Sequence, residues 1–549
     1  PWKARSRGCS KEEGALRLGP RMPAPHFGHC FLYRFRNMSK SPFGKIPLVS
    51  GASPRGVSAK NCARRRSPFG LYEYRSVLDN MSELAGAKRI HLMGIGGAGM
   101  SSLARLLSSM GNAVSGCDLQ HESSCVKALE ALGVPCAAGH SREHLERFDP
   151  QLVIFSSAVD GDCEELAAAR RKGIRTVGRG EALSWLFNEA RGVGVAGTHG
   201  KTTTTSMIGL ILERAGLSPT LYIGAEVRDI GTNARLGGNP LFVAELDESD
   251  GSFEYFHPSL AVVTNIDWDH VDHFGSREDV VEAFVRFARG LKPGAPLVAC
   301  AEDEGAQAMM KKIPDSEARG PFLRYGWGRA WDWGAFDLRH KPGGGVSFAV
   351  CRRGEDLGRL EMSVSGEHNV LNALAALAAS DALGVPFRTA ADTLRTFCGA
   401  ARRLQTLGSR NGVLVIDDYA HHPAEIMASL GAMRRVHAGR RLVVVFQPHR
   451  YSRTAAFLKP LAAALREADL VLLLPVYGAG EVVVPSVSSR GIADRLRAEG
   501  HPCRLCEGEE DALSALGCLL REGDVLLTLG AGSVSRLGGL FLSGEGMKS

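Results

Sequence analysis

The chain has 549 residues, of which 44% are hydrophobic and 23% are charged, as in an ordinary globular protein. At about 150 residues per domain, this length predicts three to four domains. No stretch supplies the roughly 18 consecutive apolar residues that a membrane helix requires, so we expect no membrane span. The 13 cysteines are scattered along the chain, which argues against a disulfide scaffold and favours a cytoplasmic protein.

The net charge of +7 is unevenly distributed. Residues 1–80 contain 16 Lys and Arg but only four acidic residues, an excess of 12 positive charges, which leaves residues 81–549 at about −5. Because the basic character belongs to this leader and not to the folded body, we expect no nucleic-acid partner.

The leader, residues 1–80, mixes Arg, Ser, Pro and Gly without a sustained apolar period. It lacks the compact apolar stretch of a secretory signal, whereas its few acids and many arginines leave an organellar transit peptide open. A disordered arm and an upstream stretch translated by mistake are the alternatives. Since Met81 directly precedes a regularly patterned region, we expect the native start there.

From residue 81 onward, short β-type runs alternate with helical segments, which is typical of parallel α/β domains. The runs Arg89 to Met93, Val193 to Ala196 and Val413 to Ile416 each open a new unit. The sequence therefore predicts an α/β protein with a Rossmann-like first domain at 81–187, a central phosphate-loop domain at 188–402 and a Rossmann-like third domain at 403–549.

The first glycine-rich segment, GIGGAG, lies between a predicted strand and a predicted helix. Its glycines permit a tight turn and close approach of the backbone to phosphate: Gly94, Gly96, Gly97 and Gly99. Asp118 ends the next strand, where a ribose-binding acid would lie. The residues alone match the dinucleotide fingerprint G-x-G-x-x-G, which suggests NAD, but a merely tight strand–helix turn also fits.

The second glycine-rich segment is the phosphate loop GTHGKTT, which comprises Gly197, Thr198, His199, Gly200, Lys201, Thr202 and Thr203. Backbone N–H groups can surround phosphate, Lys201 can reach the β- and γ-phosphate oxygens, and the Thr202 hydroxyl can bind Mg²⁺. Val195 stands where the strict Walker A motif has its first glycine. The motif still predicts binding of ATP with magnesium.

Two polar clusters follow later strands of the central domain. The acidic run from Glu245 to Asp250 supplies carboxylates of the kind that Mg²⁺ prefers, although a solvated acidic turn is the alternative. The run from Thr264 to His270 places polar side chains where parallel α/β sheets bind ligands. His270 itself could be a metal ligand or a structural contact.

Taken together, these motifs resemble those of the Mur ligases of bacterial cell-wall synthesis, over essentially all of residues 81–549. Four further segments resemble the signatures of the alanine-adding members of that family: SGEHNVLN at 365–372, DDYAHHP at 417–423, FQPHRYSR at 446–453 and YGAGE at 477–481. One departure is Leu404-Gln405, where the family usually has Phe-Glu. The chain also has no Lys between His270 and Lys292, unlike members that use a carbamylated lysine there.

The resemblance implies ATP-dependent ligation of L-alanine to UDP-N-acetylmuramate through an acyl phosphate, in peptidoglycan precursor synthesis. It also implies that the first glycine loop holds the UDP group and not NAD. No obligate protein partner is inferred. Three rival functions stay open: a recycling ligase that attaches a tripeptide to the same UDP sugar, an NAD-dependent oxidoreductase, and a non-catalytic nucleotide sensor.

The resemblance also assigns roles to individual residues. Glu245 and His270 would bind magnesium with Thr202, and Asn372 would contact adenine. Arg403 would face the γ-phosphate from the junction of the second and third domains. Three further residues are candidates for the alanine and acyl side: His421, Arg450 and Arg453.

Overall fold

The computed structural model describes residue 84 and residues 89–271, 273–341 and 343–545. The predicted leader at 1–80 and the expected start at Met81 lie outside the described residues. The described residues belong to one compact unit and form three β-sheets. Each sheet is covered by helices, so the predicted α/β architecture is confirmed.

The first sheet has five parallel strands in the order β3-β2-β1-β4-β5. Its strands are β1 Arg89–Met93, β2 Ala113–Asp118, β3 Cys136–Ala138, β4 Leu152–Phe155 and β5 Arg175–Gly178. Its helices are α1 Ala98–Ser109, α2 Ser124–Glu130, α3 Glu143–Phe148, α4 Glu164–Arg171 and α5 Arg179–Glu189. The strand order reverses beside β1, so the glycine loop after β1 opens where such sheets bind ligands.

The central sheet has ten strands in the order β15-β14-β13-β12-β11-β10-β6-β9-β7-β8. Its strands are β6 Arg191–Ala196, β7 Thr220–Val227, β8 Thr232–Arg235, β9 Leu241–Glu245, β10 Leu260–Val263, β11 Leu297–Cys300, β12 Phe322–Trp327, β13 Trp333–His340, β14 Val346–Arg352 and β15 Glu355–Met362. Its helices are α6 Lys201–Arg214, α7 Arg277–Arg289, α8 Glu304–Lys311, α9 Glu367–Ala382 and α10 Phe387–Arg395, with a 3-10 helix at Ser252–Tyr255. Strand β6 lies between β9 and β10, so the segments that follow these three strands meet at one edge.

The third sheet has six strands in the order β16-β17-β21-β18-β19-β20. Its strands are β16 Gln405–Arg410, β17 Val413–Asp418, β18 Leu442–Phe446, β19 Leu470–Leu473, β20 Cys503–Leu505 and β21 Val525–Leu529. Its helices are α11 Pro423–Val436, α12 Tyr451–Ala456, α13 Leu458–Leu465, α14 Arg490–Ala498, α15 Glu509–Leu519 and α16 Ser535–Ser543. Strands β18 and β21 are buried along their whole length and are apolar except for Thr528, as expected where helices cover both faces of a parallel sheet.

Antiparallel strands extend the central and third sheets beyond the predicted parallel pattern. They pair β7 with β8, β14 with both β13 and β15, and β16 with β17. The link between β14 and β15 is the two-residue turn Arg353-Gly354, in which both residues have positive φ. Such a turn joins antiparallel strands without a crossover helix, so this part of the sequence lacks the strand–helix alternation.

Helices α6 and α9 pack in one apolar cluster against the central sheet. In α6, Met207 and Ile211 are fully buried, and in α9, Leu374 and Ala378 are fully buried. Because both helices are anchored in this core, their N-terminal ends are held close together. Those ends carry the phosphate loop and the predicted adenine contact. Among the helices of the described residues, none combines the length and apolar character needed to cross a bilayer.

The fold predicts that Phe348→Ala destabilises the central domain. Phe348 is fully buried in β14, and truncating such a side chain leaves a cavity that lowers the free energy of unfolding by about 3–5 kcal/mol. Tyr255→Ala is the control, since Tyr255 is 55% exposed and should change it by less than about 0.5 kcal/mol. Urea denaturation checks both, and equal effects would contradict the placement of Phe348 in the core.

Candidate active site

The phosphate loop connects the end of β6 to the start of α6 and is shaped by Asn265. The Thr198 N–H donates to the Asn265 carbonyl at 3.0 Å, and the His199 N–H donates to its side-chain oxygen at 2.8 Å. Gly200 has φ +79° and directly precedes the first residue of α6. The first-turn N–H groups of α6 have no partner within the helix and can face phosphate.

Lys201 is buried and paired. Its Nζ donates to the carbonyls of Gly197 and Thr198 and lies 2.8 Å from the nearer carboxylate oxygen of Glu248. Burial opposes the charged form, but the carboxylates of Glu248 and Asp247 outweigh it and raise the pKa of Lys201. The lysine is therefore cationic at the mouth of the loop. Glu248 belongs to the acidic run, but its role was not predicted.

The residues predicted to bind magnesium lie at the same edge of the sheet. The Thr202 hydroxyl donates to Glu245 Oε1 at 2.8 Å, and the Gly224 N–H donates to Glu245 Oε2 at 2.7 Å. His270 Nε2 lies 3.8 Å from Glu248 Oε1. The Thr202 hydroxyl and the carboxylates of Glu245 and Glu248 are hard oxygen donors of the kind that Mg²⁺ prefers. These three residues, with His270 beside them, therefore fit the ion.

Asn372 lies at the start of α9 against the phosphate loop. Its side-chain oxygen accepts from Thr204 at 3.3 Å, and its amide donates to Asn369 at 3.2 Å. Both asparagines line a cavity of about 320 Å³ together with Gly200. That volume is at the lower end of the range for small-molecule sites.

The third domain closes this cavity with Arg403 and Glu425. The Arg403 guanidinium lies 3.7 Å from Glu425 Oε1, which is 3.4 Å from His199 Nδ1. Burial favours the neutral acid, but the hydrogen bond and charge of His199 and the charge of Arg403 hold the pKa of Glu425 well below its ordinary range. Glu425 was not predicted, although its capping-box spacing from His422 at the start of α11 is a sequence signal.

The three residues predicted for the alanine side have different surroundings. Arg453 is buried, and its Nε lies 2.8 Å from Asp269 Oδ1 of the central domain. Burial lowers the pKa of His421 to about 4, so this imidazole is neutral. Arg450 has φ +69° and lies 3.8 Å from Glu481. Arg453 thus connects two domains. His421 and Arg450 lie in the chain segments just before α11 and α12.

The first glycine loop is held by the end of β2. The Cys117 carbonyl accepts from the N–H groups of Gly94 and Ile95 at 2.8 and 3.1 Å. The Asp118 carboxylate accepts from the Gly96 N–H at 2.8 Å. Gly97 is the N-cap of α1. The predicted turn and acid are therefore brought together.

Gly99 lies where the first and central domains meet. The Tyr222 hydroxyl donates to the Gly99 carbonyl at 3.0 Å, and Arg179 donates to Tyr222 at 3.1 Å and to Asp247 at 3.3 Å. A Cβ on Gly99 would lie 2.8 Å from the Tyr222 hydroxyl oxygen, so a larger residue would displace the Tyr222 and Arg179 side chains. Arg179 and Tyr222 were not predicted, since no motif surrounds them.

Family profiles match all three parts of the chain. Residues 89–191 match the Mur ligase family catalytic domain, 195–380 the Mur ligase middle domain, and 402–532 the Mur ligase glutamate ligase domain. The chain belongs to the Mur ligase family. The resemblance inferred from the motifs is thus confirmed, and the NAD-dependent oxidoreductase suggested by the first glycine loop alone is set aside.

Two Mur ligase relatives show the extent of the likeness. The UDP-N-acetylmuramate–L-alanine ligase of Sorangium cellulosum is 42% identical over 451 residues, which cover 82% of this chain and 94% of that protein. The ligase of the same name from Saccharopolyspora erythraea is 43% identical over 454 residues, with 82% and 92% covered.

Two solved Mur ligase structures resemble the fold. UDP-N-acetylmuramate–alanine ligase MurC from Thermotoga maritima has a TM-score of 0.70 at 31% identity, covering 83% of this chain and 98% of its own. The murein peptide ligase of Psychrobacter arcticus has a TM-score of 0.66 at 25% identity, covering 84% and 99%.

The phosphate-loop geometry predicts that Gly200→Ala weakens ATP binding. A Cβ there would lie 2.5 Å from the Asn372 side-chain oxygen, in a backbone with φ +79°, so either the Asn372 side chain must rotate away or the loop and α9 must separate. We expect at least a tenfold rise in the Kd for ATP with Mg²⁺, measured by calorimetry.

Gly216→Ala is the matched control for Gly200→Ala. Gly216 has φ +78° just beyond the other end of α6, but no atom lies within 4 Å of an added Cβ. This variant imposes the same backbone strain, about 1 kcal/mol, and should bind ATP normally. Equal loss of binding in both variants would mean that strain, and not the contact with Asn372, is responsible.

Proposed function

We propose that this chain catalyses the ATP-dependent ligation of L-alanine to UDP-N-acetylmuramate in peptidoglycan precursor synthesis. The observation that carries the proposal is one cavity lined by Gly200 of the phosphate loop and by Arg403 and Glu425 of the third domain. In a chain about 42% identical to proteins named for this reaction, such a cavity brings ATP to the domain that would hold the acceptor.

The first step would transfer the γ-phosphoryl group of ATP to the carboxylate of UDP-N-acetylmuramate, giving an acyl phosphate and ADP. Carboxylate and triphosphate are both anionic, so cationic side chains must reduce their repulsion. Lys201 and Arg403 supply that charge from opposite sides, one at the start of α6 and the other from the third domain. The amine of L-alanine would then attack the acyl carbon, and phosphate would leave.

Magnesium would be held by Thr202, Glu245 and His270. His270 lies beside Glu248. When bound, it would neutralise charge on the phosphate oxygens. The chain's own contribution is to orient these groups: the Gly224 N–H fixes one oxygen of Glu245 and directs the other toward Thr202.

The remaining assignments follow from the resemblance to the family. The first glycine loop, with Asp118, would hold the UDP group at the end of β1. Asn372 would contact adenine inside the cavity. The neutral imidazole of His421 and the guanidinium of Arg450 would face the alanine side. Because the substrates are cytoplasmic metabolites, the reaction would take place in the cytoplasm, and its product would support cell shape and division.

Phosphate release tests the acceptor directly. With ATP and Mg²⁺, we expect release only when both UDP-N-acetylmuramate and L-alanine are present, measured by a coupled phosphate assay. Because a murein peptide ligase shares this fold, the peptide L-Ala-γ-D-Glu-meso-diaminopimelate is the comparison acceptor. Release with that peptide and not with L-alanine would identify a recycling ligase, and no release with any acceptor would contradict ligase activity.

Lys201→Ala should lower kcat by at least on the order of a hundredfold, because it removes the cation aimed at the transferred phosphoryl group. Binding of UDP-N-acetylmuramate, measured by calorimetry without ATP, should be nearly unchanged. Lys312→Ala is the control, since that lysine pairs with Glu278 and Glu282 on the surface. If Lys201→Ala reduced binding of UDP-N-acetylmuramate as strongly as it reduced kcat, the two glycine loops would not be separate sites.

A further inference from the structure

A second cluster of chemically reactive side chains lies within the first domain, and the proposed reaction uses none of them. It consists of His91, Cys117, His144 and Glu165, all buried. One nitrogen, sulfur or oxygen atom from each lies within 4.8 Å of the corresponding atoms of the other three. We refer to these four residues as the His-Cys-Glu cluster.

The fold brings the four residues together on one face of the first sheet. His91 in β1 and Cys117 in β2 point to the same side, since the register pairs Met93 with Cys117 and side chains alternate along each strand. Helices α3 and α4 cover this face and supply His144 and Glu165. Apolar side chains surround the cluster, among them Met93 and Leu145.

The distances within the cluster suit a tetrahedral metal ion. Glu165 Oε1 lies 3.0 Å from His91 Nε2, and Glu165 Oε2 lies 3.1 Å from His144 Nδ1 and 3.3 Å from Cys117 Sγ. Zinc bonds of about 2.0–2.3 Å place neighbouring tetrahedral ligand atoms about 3.3–3.7 Å apart. Because the four ligand atoms lie within 4.8 Å of one another, shifts of about 1 Å bring them to these separations.

Two buried atoms of the cluster lack hydrogen-bond partners. His91 Nε2 and Glu165 Oε1 face each other at 3.0 Å, yet neither is aligned for a hydrogen bond, an unfavourable state in a buried site. The other ring nitrogen of His91 lies 2.9 Å from the Ser115 hydroxyl. When Nδ1 donates its proton there, Nε2 presents a lone pair to the Glu165 carboxylate, and a cation would satisfy both. Metal-binding histidines typically have such an orienting partner.

We propose that the His-Cys-Glu cluster binds a zinc-like divalent transition-metal ion. Two imidazoles, a thiolate and a carboxylate favour such an ion over Mg²⁺, which prefers oxygen ligands. Four protein ligands fill a tetrahedral shell and leave no position for substrate, so the ion is structural. On binding, the Cys117 thiol releases its proton to solvent. The His144 side chain is 11% exposed, which gives the ion a path to the site.

The ion would stabilise the backbone that shapes the first glycine loop. The Cys117 carbonyl accepts from the Gly94 and Ile95 N–H groups, and its neighbour Asp118 accepts from Gly96. Fixing the Cys117 side chain therefore fixes the end of β2 to which the loop is hydrogen-bonded. The inference concerns this domain alone and does not depend on which reaction the chain catalyses.

Cobalt absorption tests the site in the full chain. After chelator treatment, titration with Co²⁺ should give a thiolate-to-cobalt charge-transfer band that saturates at one ion per chain. Cys117→Ser should abolish the band, whereas Cys136→Ser, a half-buried cysteine of β3, should retain it. In the part of the chain that the structure describes, the other candidate metal cluster is His199, Asp267 and His422, which contains no thiol and cannot produce the band. No band in the native chain, or an unchanged band in Cys117→Ser, would overturn the proposal.

Zinc binding gives a second measurement that does not depend on the Cys117 variant folding. Zn²⁺ should raise the melting temperature of the native chain but not that of His144→Gln. The His144 side chain is 11% exposed, more than the other cluster residues, so this substitution disturbs the core least. Ser115→Ala should weaken Zn²⁺ binding by about 10- to 100-fold in a chelator competition, as for other residues that orient a metal-binding histidine. Unchanged zinc affinity and stabilisation in both variants would show that the cluster is a metal-free hydrogen-bond network.

Discussion

The need to keep Lys201 charged inside the protein governs the arrangement of the candidate active site. A buried ammonium group without partners is unfavourable by several kcal/mol. Here Glu248 and two carbonyls of the phosphate loop surround it. The charge of Lys201 is therefore balanced by a buried carboxylate, and its ammonium group is held in one position at the phosphate loop.

The same principle joins the central and third domains. Arg453 and Asp269 form a buried ion pair across the boundary, and the pKa of Asp269 is lowered strongly by Arg453 although burial opposes it. Removing either partner would leave an uncompensated buried charge. The pair therefore holds the third domain where Arg403 reaches the cavity. Arg453 lies in the segment FQPHRYSR that resembles a family signature, but its side chain is engaged in this contact between the domains.

Local motifs predicted most of the fold and the parts of the site that lie next to one another in sequence. The run Arg89 to Met93 coincides with β1, the runs Val193 to Ala196 and Val413 to Ile416 lie within β6 and β17, and the two glycine loops lie at strand ends as expected. Glu248 and Glu425 were missed because their importance comes from distant partners, Lys201 and Arg403. Arg179 was missed for the same reason, since nothing in its local sequence indicates a contact with Tyr222.

The contact of Arg179 and Tyr222 with Gly99 has a consequence for ligand binding. Through Tyr222 the pair meets the first glycine loop, and through Asp247 it meets the acidic run beside Lys201. If the two loops bind nucleotide and the UDP group as proposed, a displacement of either side chain when one loop binds its ligand is transmitted to the other loop. Thermodynamic linkage requires the resulting factor to be reciprocal: whatever nucleotide does to the affinity for the UDP ligand, that ligand does equally to the affinity for nucleotide.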